Sequence, residues 1–228
     1  MSNWPYLDKP NIWSSHSLIA NRLSSIPAGT KVLDIGTATG VIGRMCQGLG
    51  LKFEGIELNP EWADKARPYY ETIVVGPLET CTDQFLSRHE VVICGDVLEH
   101  MANPQMALGR LSNLQPNGCL FIISVPNIAN IWIRLNLLFG RFDYTPRGIL
   151  DRTHLRFFTR KTLIYLIESA GLAIEEVNAS PIPLELISPF FENNPLGHLI
   201  YRIMKVITDV FPTLFGYQFF VVARKGRI

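Results

Sequence analysis

Short apolar runs recur along the chain, each bounded by glycine, proline or small polar residues, and stretches with helical spacing lie between them. Val32, Leu33 and Ile35 form the first run, and a second ends on Glu57. Thr72–Val75, Val91–Cys94, Cys119–Val125, Leu172–Asn178 and Tyr217–Ala223 follow as further predicted strands. Apolar character over so short a length suits a parallel strand covered on both faces. Ser14 or Ser15 caps a helix running to about Ser25, and Pro27-Ala28-Gly29 stops it. Asn59-Pro60 opens another helix, Pro104 to Leu114 forms a third, and Thr159 caps one ahead of the strand at Leu172. Strand and helix thus alternate. Right-handed crossovers then put the loops after residues 35, 57, 75, 95 and 125 on one cleft, at the carboxyl ends of the strands.

Three segments exceed this alternation. Residues 1–28 form an N-terminal arm whose first part carries Trp4, Tyr6 and Trp13 among prolines. Residues 126–152 are apolar and aromatic from Ile128 to Phe139 and then turn at Gly140-Arg141-Phe142, which suits a substrate lid. Residues 180–216 hold five prolines and a helical run from Leu196 to Val210, interrupted by His198, Arg202, Lys205 and Asp209. Those charges forbid a bilayer span and leave a cap, a homodimer face or a helix lying on a membrane surface. At 228 residues the whole is expected to be a single domain with these elaborations.

A formal charge of +1 and scattered Lys and Arg give no footprint for nucleic acid. The cysteines at 46, 81, 94 and 119 lack zinc or C-x-x-C spacing, so no metal and a reducing cytoplasm are expected. The first residues do not form a secretory signal.

The chemistry concentrates in Lys31 to Glu57. Gly36, Thr37, Ala38, Thr39 and Gly40 form a turn of small residues that lets a ligand approach the backbone, and Glu57, roughly twenty residues on, can accept from two ribose hydroxyls. Ala38, Gly40 and Gly43 come within a methyl group of the dinucleotide pattern G-x-G-x-x-G. Asp34 argues against a pyrophosphate and for a cofactor carrying ammonium and sulfonium groups.

The segments VLDIGTATG, GIELNP and CGDVLEH resemble the successive motifs of class I S-adenosylmethionine-dependent methyltransferases over roughly residues 30 to 180. The resemblance implies an α/β, Rossmann-like three-layer sandwich around a seven-stranded, mostly parallel sheet of order 3-2-1-4-5-7-6 with the last strand antiparallel. It implies S-adenosylmethionine as cofactor, held by Asp34, Gly36, Thr37, Ala38, Thr39, Gly40, Glu57, Leu58, Leu78, Gly95 and Asp96. It also implies a small-molecule acceptor, such as a sugar or other hydroxylated metabolite, methylated on oxygen. Where the family commonly has an acidic residue after Gly76 this chain has Pro77, and where it often has Phe-Asp this chain has His89-Glu90.

Methyl transfer from a sulfonium needs positioning above all, and a hydroxyl acceptor also profits from a base. His100 and His154 are the candidates; Arg152, His154 and Arg156 alternate, which predicts one shared face, and Asn127 is read as a helix cap. Two other classes stand beside this reading. Ser124-Val125-Pro126-Asn127 and the lid also resemble a non-catalytic accessory protein of methionine biosynthesis with this fold, and an NAD-dependent dehydrogenase would need a second domain.

Overall fold

The computed structural model describes residues 12–184, 188 and 190–226, with only the backbone of residues 192 and 193. Trp4 and Tyr6 lie outside the described residues. Strands β1 (Lys31–Ile35), β2 (Lys52–Glu57), β3 (Thr72–Val75), β4 (Val91–Gly95), β5 (Leu120–Pro126), β6 (Leu172–Ser180) and β7 (Gln218–Lys225) form one sheet. Its order is β3-β2-β1-β4-β5-β7-β6. The first five strands pair in parallel, and β7 runs antiparallel to β5 and β6. This is the Rossmann-like methyltransferase fold, in the strand order expected.

Alternation along each central strand sends neighbours to opposite faces. Leu33, Val92, Phe121, Ile123 and Val221 bury themselves with α5 (Pro104–Leu114) and α7 (Arg160–Ser169) through Leu108, Leu111, Leu163 and Ile167. Val32, Ile93, Ile122 and Val222 meet α1 (Ser15–Leu23), α2 (Val41–Met45) and α3 (Pro60–Ala66) through Ile19, Leu23, Ile42 and Ala63. A short helix α4 (Asp83–Leu86) precedes β4. Three layers follow, each fully buried large side chain contributing about 1.5–3 kcal/mol. Ser14, Asn59, Asn103 and Thr159 cap α1, α3, α5 and α7 with side-chain oxygens. Strand ends shift by one or two residues from the sequence pattern, because pairing between β6 and β7 continues to Ser180 and Gln218.

The lid begins with α6 (Ile131–Leu138), and the second insertion holds α8 (Phe190–Asn193), α9 (Pro195–Val210) and α10 (Pro212–Phe215). Asn127 does not cap the lid helix; Asn130 does, accepting from the Trp132 N–H. Asn127, fully buried, instead donates from Nδ2 to the carbonyls of Thr213 and Gly216 at 2.9 and 2.8 Å and accepts from the Ala129 N–H. Asn130 Nδ2 donates to Gly216 as well. The two insertions are therefore tied to each other beside the end of β5. Along α9, Leu196, Leu199, Ile203, Val206 and Val210 form an exposed apolar stripe, while Gly197, Tyr201 and Thr208 face inward and Tyr201 packs edge-on against Trp13. No helix among the described residues is long and apolar enough to cross a membrane.

Candidate active site

The loop after β1 is held open by backbone geometry. Gly36 and Gly40 have φ of 78° and 81°, and a Cβ on Gly40 would sit 2.8 Å from the Ala66 Cα. The N–H groups of Gly36 and Thr37 both donate to the Ile56 carbonyl, Ala38 N–H donates to Glu57 Oε2 at 2.7 Å, and Gly40 N–H donates to Thr37. These donors are turned back into the protein. A pyrophosphate-binding loop would aim them at the ligand, so this loop is shaped for a cofactor without phosphate at that point.

Glu57 is buried and uses one lone pair of each oxygen, Oε2 for Ala38 and Oε1 for the Asn59 N–H at 2.9 Å. A carboxylate has about four acceptor sites, so capacity for ribose hydroxyls remains. Leu58, at 69% exposure, stands beside it as an uncovered apolar ledge. Asp34 is placed differently from the sequence expectation. Its carboxylate lies under α2, accepting a 2.6 Å hydrogen bond from the Tyr70 hydroxyl, which itself accepts from the Gly43 N–H. Burial, opposed by the Tyr70 hydrogen bond and reinforced by Glu57, raises its pKa to about 6. Asp34 therefore influences a ligand through its field and through the loop it supports.

Leu78 is buried in the turn Leu78–Thr80. Arg110, which carries no signal in the sequence, pins that turn: its guanidinium donates to the carbonyls of Leu78 and Cys81 and to Asp83 Oδ1, at 3.0, 2.6 and 2.6 Å. Arg110→Ala is expected to speed amide exchange over residues 78–83 about tenfold, the effect of roughly 1.4 kcal/mol of local stability, with the sheet unchanged. Exchange measured by mass spectrometry checks this. The departures His89 and Glu90 lie at the amino end of β4, where His89 Nε2 meets Glu54 at 2.7 Å and Glu90 Oε2 accepts from the Lys31 N–H. They are far from the carboxyl-end cleft and do not weaken it.

At the end of β4, Gly95 leads into Asp96, whose φ of 54° is uncommon for a non-glycine residue. Ser124 Oγ donates to Asp96 Oδ1 at 2.6 Å, and Ser15 Oγ and Gln218 Nε2 donate to Oδ2 at 2.9 Å. These hydrogen bonds hold the strained residue in place. The next turn, Leu98–His100, presents Glu99 and His100 to the segment after the lid, where Leu155 and Arg156 donate their N–H groups to the Glu99 carbonyl.

His100 and His154 meet edge to face with ring centroids 4.8 Å apart. Arg152 and Arg156 do not join them. Residues 151–154 turn, with His154 N–H donating to Asp151, so strand alternation fails; both arginines are exposed, and Arg156 donates to the Ala102 carbonyl. His154 is buried, and burial followed by the neighbouring His100 lowers its pKa, opposed by its bond to Ile149. Its Nδ1 lies 3.0 Å from the Ile149 carbonyl, which can only accept, so Nδ1 carries the hydrogen and Nε2 the lone pair. Phe157 packs against His154, Phe142 and Tyr144 and walls this end of the cleft with aromatic rings.

A sheet of this order, a phosphate-free glycine loop joined to the carboxylate that ends β2, and an ionisable cluster after β4 define a class I S-adenosylmethionine-dependent methyltransferase. S-adenosylmethionine is its cofactor, and the residues around the loop fit that molecule's ribose and charge. The chain belongs to the family described as methyltransferase domain, whose model matches residues 12–177. It is 30% identical over 140 residues to a ubiquinone biosynthesis O-methyltransferase of Glaesserella parasuis, covering 55% of this chain and 57% of that protein. A ubiquinone biosynthesis O-methyltransferase of Shewanella pealeana is 24% identical over 188 residues, covering 79% of this chain and 78% of that protein. A solved S-adenosylmethionine-dependent methyltransferase from Archaeoglobus fulgidus shares the fold at a TM-score of 0.60 and 16% identity, over 92% of this chain and 94% of that one.

Proposed function

We propose that this methyltransferase transfers its methyl group to a phenolic hydroxyl of a small molecule carrying an apolar portion. The observation that carries the reading is the buried His154 ring, its pKa lowered by burial and its Nδ1 committed to Ile149 so that Nε2 keeps the lone pair, packed edge to face against His100 beyond the end of β4. As a base, a histidine at its ordinary value of about 6.5 faces a gap of about 3.5 pK units to a phenol near 10 but about 9 to an alcohol near water's 15.7, and the lowering at His154 widens both. The weaker acid is the poorer match, which favours a phenol over a sugar. His100 and His154 serve as base and neighbour, while the glycine loop, Glu57, Leu58 and Leu78 hold the cofactor and Gly95 and Asp96 border it.

Apolar surface supports the second half of the reading. Trp132, Leu138 and Phe139 of the lid are 66%, 76% and 75% exposed, and the α9 stripe ends at exposed Val210 and Phe211, next to the Gly216 junction that holds the lid. Such a face suits an acceptor delivered from a membrane surface. The relatives named above are ubiquinone biosynthesis O-methyltransferases, which supports this acceptor class.

The test is transfer of a labelled methyl group from S-adenosylmethionine to a panel of catechols with and without an isoprenoid tail, alongside free and nucleotide-linked sugars. Tailed catechols are expected to be the best acceptors. His154→Ala is expected to lower kcat by about 100-fold or more while S-adenosylhomocysteine affinity is kept. Methylation of sugars but not phenols would defeat the proposal, and turnover of no acceptor would favour a non-catalytic role.

A further inference from the structure

The geometry points to Tyr217 as the residue that positions the acceptor, its hydroxyl donating a hydrogen bond to an oxygen next to the one that is methylated. Tyr217 stands one residue before β7, and its backbone is fastened twice: the N–H donates to the Ser180 carbonyl at 2.8 Å and the carbonyl accepts from the Asn127 N–H at 2.9 Å. The base of the ring is therefore fixed. Both chain neighbours belong to the cleft, since Gly216 accepts from the amides of Asn127 and Asn130 and Gln218 holds Asp96 Oδ2 at 2.9 Å.

The hydroxyl reaches the turn that sets the histidine. A Cβ on Gly148 would sit 2.9 Å from the Tyr217 oxygen, and a φ of 93° suits that position to glycine, so the end of the ring lies directly against this turn. Ile149, the next residue, supplies the carbonyl that fixes His154 Nδ1 at 3.0 Å. One short turn thus locates both groups. The charge of Asp96, which borders the cofactor in the reading above, also acts on both, raising the pKa of Tyr217 and that of His154.

What the hydroxyl offers is a donor. Tyr217 is partly buried, and its side chain makes no hydrogen bond to any of the described residues. Burial, then Asp96, opposed by Arg147, raises its pKa above the ordinary 10, so the proton stays on oxygen near neutral pH. A donor placed in this way favours a ligand that brings an oxygen to it and discriminates against one that does not. The inference rests on the phenol O-methylation proposed above and adds a feature of the acceptor, a second oxygen beside the attacked one. The attacked hydroxyl passes its proton to His154 Nε2, its oxygen bonds to the methyl carbon, and the carbon–sulfur bond breaks with its electron pair going to sulfur. A donor on that oxygen would compete for the lone pair that must reach the methyl carbon, whereas on the neighbouring oxygen it orients the ring. Tyr217 keeps its proton throughout.

The test is calorimetric binding of two tailed acceptors, a catechol and the matching phenol with a single oxygen, to the S-adenosylhomocysteine complexes of wild type and Tyr217→Phe. The variant keeps the ring and loses only the oxygen. Its affinity for the catechol is expected to fall about tenfold, the effect of one hydrogen bond, and its affinity for the single-oxygen phenol to stay unchanged. Affinity for S-adenosylhomocysteine and Tm are expected not to fall, because no bond within the protein is lost; a purely structural role would lower Tm and weaken both acceptors alike. An equal change for the two acceptors, or no change for either, would overturn the inference and leave the phenol reading standing. Wild-type protein that binds S-adenosylhomocysteine but neither phenol would sink that reading, and this inference with it.

Discussion

Asn127→Ala is expected to destabilise the protein by about 3 kcal/mol, which lowers Tm by roughly 6 to 12 °C for a chain of this size. The side chain is fully buried and joins three backbone groups: the carbonyls of Thr213 and Gly216 and the N–H of Ala129. Gly216 keeps its bond from Asn130, whereas alanine removes these partners of Thr213 and Ala129. Each buried group left without a partner costs about 1–3 kcal/mol, beyond the modest net value of the bonds themselves. The loss falls where the lid and the second insertion meet, so acceptor affinity should drop further than cofactor affinity. Thermal and urea unfolding measure the first effect, and the acceptor KM set against S-adenosylhomocysteine affinity measures the second. A change below about 1 kcal/mol would mean that water replaces the amide and that the insertions are tied by other contacts.

The second large effect has the opposite sign. Asp34→Asn is expected to stabilise the cofactor-free protein by about 2–3 kcal/mol at pH 7, since a carboxyl raised from 3.8 to about 6 is held against its own ionisation. The folded state binds this proton more tightly than the unfolded state does. The stability associated with Asp34 is therefore fully present below pH 3.8 and is lost as pH rises through about 6. Variant and wild type should match near pH 4 and separate across the interval to pH 7. Asparagine still accepts from Tyr70, so the packing under α2 is preserved. The same change removes a negative charge beneath the glycine loop, and affinity for the cationic cofactor should fall while stability rises. Equal stability of the two proteins at pH 7 would show that Asp34 is not desolvated as the structure places it.

Much of the scaffold was legible because its causes are local. Apolar runs bounded by turn residues marked the strands, Asn59-Pro60 and Thr159 marked helix starts, and Gly36 to Gly40 marked the turn after β1 that Glu57 joins. Other expectations failed where a side chain's partner lay outside its own element. Asn127 looks like a cap because an asparagine before a helix is usually one, yet its amide is used by residues 86 and 89 positions away. Arg152, His154 and Arg156 alternate in sequence, but a turn at Asp151 breaks the period on which that argument depends. Arg110 carried no signal, since an arginine on a predicted helix is ordinarily a solvated charge.

By itself, the sequence determined the alternation of strands and helices and the glycine turn after β1, which follow from hydrophobic period and glycine conformation; the sheet order and the cofactor came from the family that its short motifs resemble. Only the tertiary structure decided how the reacting end is built. Ser15, Ser124 and Gln218 reach Asp96 across 81, 28 and 122 residues. His100 and His154 come together because the segment after the lid folds back onto the Glu99 carbonyl. The physical reason is that local patterns encode what a residue does to its own backbone, whereas lone pairs, burial and charge act through space on whatever the fold brings near.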